Sequence, residues 1–129
     1  MARITLKDSG VVFDKANHTY ELNGKMLQGI TTMLQRQLFS TEYEGIPWAI
    51  VKKAGEYGSQ VHDSCEDFDK NWNNDGSQEV QDYISICKEY GFTHEASEYT
   101  VTDGSNFASN IDKVFRVSDN TFDLADLKT

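Results

Sequence analysis

The last eighteen residues of the chain predict two adjacent strands with ionisable side chains near their ends. The first strand contains Asp112, a turn follows at residues 118–120, and the second strand runs into Asp126, Leu127 and Lys128. Successive strand residues point to opposite faces, so we expect Asp126 and Lys128 on one face and Leu127 on the other. Antiparallel pairing would bring Asp112 beside them. Any fold of this chain must therefore accommodate two carboxylates and an ammonium group at one place on a sheet.

The rest of the chain predicts an N-terminal hairpin followed by helices. Residues 11–13 and 19–22 have the pattern of strands, and Asn23-Gly24 is a strong signal for a two-residue hairpin turn. Further predicted elements are helices at 31–39, from Pro47 to an interruption at Gly55 and Gly58, at 59–72 and at 77–90, and strands at 98–101, 107–117 and 122–128. The helical aromatics Trp48, Tyr57, Phe68 and Trp72 are assigned to the core. The prediction is one α/β (α+β) domain over residues 1–129, with an N-terminal β-hairpin and helices packed on a three-stranded antiparallel meander.

The composition favours a cytoplasmic protein. A length of 129 residues, of which 38% are hydrophobic, fits one domain. The chain has no apolar run of about 18 residues and no apolar N-terminal segment, so neither a membrane span nor a signal peptide is expected. Cys65 and Cys87 form no spacing motif, and unpaired thiols in a reducing compartment are the simplest interpretation.

The net charge of -9 is unfavourable for binding DNA, because affinity for phosphates normally comes from lysine and arginine. The excess is local, however. Seven acidic residues lie between Val61 and Asp82 against Lys70 alone, whereas residues 1–40 carry five basic and three acidic side chains. The charge therefore leaves nucleic-acid binding open, with Lys52, Lys53 and Lys113 as the predicted phosphate contacts.

One helix adds a histidine to the candidate constellation. His62 follows Gly58 in a Gly-x-x-x-His pattern and shares a helix face with Glu66. Together with Ile111-Asp112 and Asp126-x-Lys128-Thr129, this order of motifs resembles the PD-(D/E)XK nuclease superfamily. The branch it resembles is shared by bacterial recombination nucleases, CRISPR-associated adaptation nucleases and phage exonucleases. Residues 13–34 are also similar to the phage members.

The resemblance implies a metal-dependent phage-type exonuclease that hydrolyses DNA phosphodiester bonds with a metal-activated water. It implies that Asp112, Asp126 and Lys128 are catalytic, with Lys128 orienting or deprotonating that water. It further implies that His62, Asp112, Asp126 and the carbonyl of Leu127 ligate one or two Mg²⁺ or Mn²⁺ ions. An imidazole ligand favours Mn²⁺, and a nearby cation should lower the proton affinity of Lys128. Glu98 is expected to pair with a basic residue rather than to bind a second ion.

Other expectations follow from the same resemblance. Iron–sulfur members of the superfamily need four cysteines and this chain has two, so no cluster is expected. The implied partners are DNA and a phage recombination or annealing protein, in the cytoplasm of a bacterial host cell. The family has glycine before its first aspartate, where this chain has residues 108–110, Ala-Ser-Asn.

The restriction-endonuclease-like fold of the family continues after the lysine with a helix and a strand. We therefore expect this core to be incomplete at its C-terminus and the chain alone to be impaired in activity. An uncovered sheet edge would favour self-association into a homo-oligomer.

Two alternatives to an active nuclease remain. The chain could be a non-enzymatic acidic interaction module, such as a DNA mimic, that uses the acidic residues between Asp63 and Asp82. The function of such a module would not change in the Asp126→Ala variant. The chain could also be an inactive nuclease-derived domain, which would bind metal without cleaving DNA even after the missing C-terminal segment is restored.

Overall fold

The computed structural model describes residues 3–38 and 40–129 and shows a mixed α+β arrangement. Within those residues, three helices accompany a six-stranded sheet. In chain order the elements are β1 (Val12–Asp14), β2 (Thr19–Leu22), β3 (Lys25–Gly29), α1 (Ile30–Leu38), α2 (Trp48–Asn71), α3 (Gln78–Tyr90), β4 (Thr93–Thr102), β5 (Phe107–Ser118) and β6 (Thr121–Ala125). The predicted combination of helices and sheet is confirmed at this level.

The sheet is organised around β5. Strands β4 and β6 both pair with β5 in antiparallel register, which confirms the predicted meander. The N-terminal strands β1, β2 and β3 form antiparallel pairs, and β3 then joins β5 in parallel through Gln28 opposite Phe107. Because Ala108 pairs with β4 as well as β3, β3 and β6 must share the other edge of β5. The hairpin and the meander therefore form one sheet, which the sequence did not predict.

Helix α3 begins and ends where its sequence predicts. The Ser77 side chain accepts a hydrogen bond from the backbone N–H of Val80, which satisfies one of the free donors of the first turn. Gly91 closes the helix in the left-handed conformation, with φ of 66°. These caps fix the position of the side chains that α3 contributes to the core.

Helix α2 corrects the prediction of two helices separated at Gly55 and Gly58. It is continuous over 24 residues and contains both glycines. A glycine inside a helix costs about 1 kcal/mol relative to alanine. Burial of Cys65 and contacts of Val61 and Phe68 with the core outweigh that cost.

The described part of the chain has two clusters of buried side chains. Cys65, Val80, Tyr83 and Phe115 form the larger cluster between α2, α3 and β5. The smaller cluster is formed by Tyr20, Leu27 and Ala108, and it joins β2 and β3 to β5. Burial raises the pKa of the Cys65 thiol, as expected for a structural cysteine.

Several aromatic and aliphatic side chains predicted to be core are instead exposed. Phe68 packs against the larger cluster, but Trp48, Tyr57 and Trp72 do not, and that part of the prediction is wrong. None of the nine residues of α1 is buried, and its predicted apolar stripe is at least partly open to solvent. Phe39, the predicted end of that helix, lies outside the described residues. Across the described part of the chain, every helix is too short or too polar to cross a membrane.

The last strand is shorter than predicted. β6 ends at Ala125, so Asp126, Leu127 and Lys128 lie beyond it. The alternation of strand faces therefore does not describe these three residues. Their positions follow instead from contacts with β5 and α2.

Candidate active site

β5 and α2 bring Asp112 and His62 together through the backbone of Leu127. The Nε2 atom of His62 lies 3.2 Å from the carbonyl oxygen of Leu127 and 3.9 Å from Oδ2 of Asp112. The same Oδ2 accepts a hydrogen bond of 3.0 Å from the backbone N–H of Leu127. Three of the predicted ligand groups thus meet at a half-buried position although they come from separate elements.

Asp126 lies close enough to Asp112 for each carboxyl group to shift the pKa of the other. Burial and the neighbouring Asp126 carboxyl raise the pKa of Asp112, whereas the interactions with Asp112 and Lys128 lower the pKa of Asp126. The two carboxyl groups therefore shift each other's pKa in opposite directions, as expected for two acids that lie close together.

Lys128 is paired with Asp126 at 2.5 Å, and its side chain is 86% exposed. The carboxylate of Asp126 raises the pKa of Lys128, which is the opposite of the shift expected beside a bound cation. The ammonium group is therefore fully protonated at neutral pH and reaches solvent next to the carboxyl pair.

The chemistry of these donors fits a hard divalent cation. Carboxylate and carbonyl oxygens suit Mg²⁺ and Mn²⁺, and a single imidazole is compatible with Mn²⁺. His62 Nε2 lies at hydrogen-bond distance, 3.2 Å, from the Leu127 carbonyl, so the imidazole must adopt the tautomer without a proton on Nε2 to bind an ion there. However, within residues 3–38 and 40–129, no three side chains of His, Cys, Asp or Glu are already placed to hold an ion. Binding would require Asp126 to turn away from Lys128.

A cavity of about 730 Å³ opens beside His62 and Asp112. It contains a cation that the sequence did not single out, Lys15, in the turn between β1 and β2. Its Nζ atom lies 2.9 Å from Oδ1 of Asp63, and this hydrogen bond raises the pKa of Lys15. Lys15 is 48 residues from Asp63 in the chain, and no local pattern indicates that the hairpin turn reaches α2.

Glu98 lines the same cavity from β4. It stands across from Asp112, because Ser97 pairs with Lys113 and Tyr99 pairs with Ile111. Its backbone is left-handed, with φ of 49°, which is strained for a residue with a side chain. Glu98 is predicted to pair with a basic residue; Lys15 lines the same cavity, and the negative charge of Glu98 helps to raise the pKa of Lys15. Glu66, the other candidate from α2, is engaged with Lys70 at 2.5 Å.

The structure corrects the prediction that Lys113 contacts phosphate. Its side chain is 2% exposed, and its Nζ atom donates to Asp69 and to Ser97, each at 2.7 Å. The prediction failed because helices cover the face of β5 that carries Lys113. Lys52 is exposed and lies over the ring of Trp48, so it remains a candidate for contact with phosphate.

Comparison with known proteins found no family model, no curated protein and no solved structure that matches this chain.

Proposed function

We propose that this chain carries the active site of a metal-dependent deoxyribonuclease that hydrolyses DNA phosphodiester bonds. The observation that supports this most is the convergence of His62 Nε2, the Asp112 carboxyl and the Leu127 carbonyl at one half-buried position. Asp126 and Lys128 lie directly beside it. Such a set of oxygen and imidazole ligands next to an exposed ammonium group suits phosphodiester hydrolysis.

A bound Mg²⁺ or Mn²⁺ ion would supply positive charge to the phosphate and lower the pKa of a water molecule. His62, Asp112 and the Leu127 carbonyl would hold the ion, and Asp126 would join them after separating from Lys128. Nζ of Lys128, released from its ion pair, would then donate a hydrogen bond to the attacking water or to a phosphate oxygen.

An acidic interaction module agrees less well with the structure. Each of the seven acidic side chains between Val61 and Asp82 has a partner within the fold. Their partners are Lys15 for Asp63, Lys70 for Glu66, Asn71 and Asn73 for Asp67, Lys113 and Tyr83 for Asp69, Ser77 for Asp75, Tyr57 for Glu79 and Gln78 for Asp82. These contacts give the acidic residues structural roles within the fold, and such roles are compatible with a nuclease.

Calorimetric titration with Mn²⁺ tests the proposal directly. We expect the wild-type chain to bind Mn²⁺ and His62→Ala and Asp126→Ala to lose that binding. Asp123→Ala, which removes an exposed carboxylate on β6, is the matched control and should bind as the wild type does. Circular dichroism would establish that each variant is folded. Binding that is unchanged in both site variants would refute the proposed ligands.

Cleavage is the second test. In Mn²⁺, we expect hydrolysis of DNA oligonucleotides that Lys128→Ala reduces by about a hundredfold or more, within the range for loss of a group that acts in proton transfer or charge stabilisation. Lys128→Ala should still bind Mn²⁺, because the lysine is not a ligand. Metal binding without hydrolysis, also after the helix and strand that the resemblance implies have been appended, would instead support the inactive nuclease-derived domain.

A further inference from the structure

The cavity beside His62 has two chemically different ends. Its volume of about 730 Å³ lies within the range of small-molecule sites, about 300–1,000 Å³. The charged end is lined by Lys15, His62, Asp63, Glu98 and Asp112. The apolar end is lined by Tyr43, Ile46, Ile50, Val51 and Ala54. A ligand that fills the cavity therefore has a polar part at the candidate active site and an apolar part further along α2, about 10 Å away at 1.5 Å per residue from His62 to Gly55.

Gly55 forms part of the cavity wall between these ends, and the fold does not explain why it is glycine. It lies inside α2, where glycine is disfavoured, and it does not have a positive φ. A Cβ atom added there would meet no atom within 4 Å. Gly58 differs, because a Cβ there would come within 3.3 Å of the Thr129 side chain. The open space at Gly55 lets a ligand approach the helix backbone closely.

The apolar end presents an aromatic side chain, Tyr43, from a hydrogen-bonded turn. Tyr43 and Ile46 are about half exposed, and the backbone N–H of Ile46 donates to the carbonyl of Tyr43 at 3.1 Å, which closes a turn. Gly45, between them, has the positive φ of 83° that this turn uses. Ile50, on the first turns of α2, completes an apolar surface against which a flat ring can pack.

A nucleotide has the two parts that this cavity distinguishes. Its phosphate is the group that the charged end is proposed to cleave, and Lys15 is a cation in the wall of that end. Its base has apolar faces that stack on aromatic side chains. In a duplex those faces are covered by neighbouring bases, so a base must be unpaired to enter such a site. We infer that the apolar end, at Tyr43 and Gly55, binds an unpaired nucleobase of the strand to be cut, an inference that rests on the proposed nuclease function.

Fluorescence anisotropy with labelled oligonucleotides tests this inference on the 129-residue chain. Ca²⁺ replaces Mn²⁺, so that the carboxylates are neutralised while binding is measured. The probes are a single strand, the same single strand with abasic positions, and the corresponding blunt duplex. We expect the single strand to bind about tenfold more tightly than either other probe, within the range for stacking of one base.

Three variants locate the contact. Gly55→Leu fills the open space and Tyr43→Ala removes the aromatic ring, and each should weaken binding of the single strand by about tenfold. The abasic probe should respond to neither. Gly55→Ala should raise the folding equilibrium constant about fivefold, because alanine favours the helix, and yet should weaken binding. Ser85→Ala, an exposed helix position on α3, is the control that leaves binding unchanged.

The outcomes separate this inference from the proposed function. If Mn²⁺ binding by the wild type is absent or does not depend on His62 and Asp126, the nuclease proposal fails. If that binding holds but folded Gly55→Leu and Tyr43→Ala bind the single strand as the wild type does, the nucleobase subsite alone is refuted. A wild type that prefers the blunt duplex, or that binds abasic and intact strands equally, would also overturn it.

Discussion

Asp69 and Lys113 form a buried ion pair, with 2.7 Å between Oδ2 of Asp69 and Nζ of Lys113 and side-chain exposures of 6% and 2%. Lys113 directly follows Asp112 on β5, and Asp69 lies two turns after His62 on α2. The hydroxyl of Tyr83 donates a second hydrogen bond of 2.7 Å to Asp69. The pair therefore joins the same two elements that meet at the candidate active site.

We predict that Lys113→Met lowers the free energy of unfolding by about 3–5 kcal/mol, because it leaves the buried carboxylate of Asp69 without its cation. Urea denaturation followed by circular dichroism measures the change. Lys15→Met is the matched control, since it breaks the exposed pair with Asp63 and should cost less than about 1 kcal/mol. Equal losses in the two variants would contradict the structural role of the buried pair.

The turn between β4 and β5 should make the protein sensitive to acid at Asp103. Oδ1 of Asp103 accepts hydrogen bonds from the backbone N–H groups of Ser105, Asn106 and Phe107, which lower its pKa from 3.8 to about 2. Because the pKa is lower in the folded state, this contribution to stability is present above about pH 4 and is lost as the pH falls through 2. Asp103→Asn should therefore show a weaker loss of urea stability between pH 4 and pH 2 than the wild type.

An NMR titration of the Asp103 carboxyl carbon provides an independent measurement. Its midpoint should lie near pH 2 in the folded protein. A midpoint near 3.8, together with parallel stability curves for the wild type and Asp103→Asn, would exclude the proposed role of the turn.

Glu98→Gly should stabilise the protein by about 0.5–1 kcal/mol. Relief of the left-handed conformation at φ of 49° is worth about 1–2 kcal/mol and is offset in part by the chain entropy of glycine. Glu98→Ala is the control, because it removes the carboxylate but keeps the strained Cβ. Thermal denaturation should show a higher midpoint for the glycine variant, and similar midpoints for both variants would argue against strain.

Arg116→Lys should release the segment around Ile4 from the sheet. The Arg116 guanidinium donates to both carboxylate oxygens of Glu95, at 2.9 and 3.1 Å, and to the carbonyls of Ile4 and Asp119. A lysine ammonium cannot make this set of contacts at once, because it lacks the planar fork of donors.

Hydrogen exchange at the amide of Ile4, which donates to the carbonyl of Asp119, reports that release. We expect it to accelerate by about tenfold or more in Arg116→Lys, whereas the amide of Val80 in α3 keeps its wild-type rate. Unchanged protection at Ile4 would show that other contacts hold the segment.

Local signals in the sequence predicted the parts of the fold that depend on neighbouring residues. Asn23-Gly24 forms the turn between β2 and β3, and the caps of α3 stand at Ser77 and Gly91. Each of these features is decided within a few residues by backbone preference and hydrogen bonding. The meander was predicted for the same reason, since its strands are consecutive in the chain.

Features that depend on distant contacts were not predictable in this way. Two closely spaced glycines, Gly55 and Gly58, predict a break in the helix. Packing of the later part of α2 against the core keeps the helix continuous. Whether the Lys113 side chain is buried depends on which face of β5 the helices cover, and no local sequence pattern indicates that face. In the site, His62, Asp112 and Leu127 were named from a resemblance, whereas the approach of Lys15 depends on how the hairpin packs on α2.

The continuity of α2 has a further consequence for how this protein tolerates insertions and deletions. Gly55, His62 and Asp69 follow each other at intervals of seven residues, so they lie in nearly the same angular phase on a single rod. Inserting one residue after His62 would rotate Asp69 by about 100° relative to the histidine. Gly55 in the cavity wall, the candidate ligand His62 and Asp69 of the buried ion pair must therefore keep the same side of the helix. Homologous sequences should gain or lose residues in α2 only at its ends.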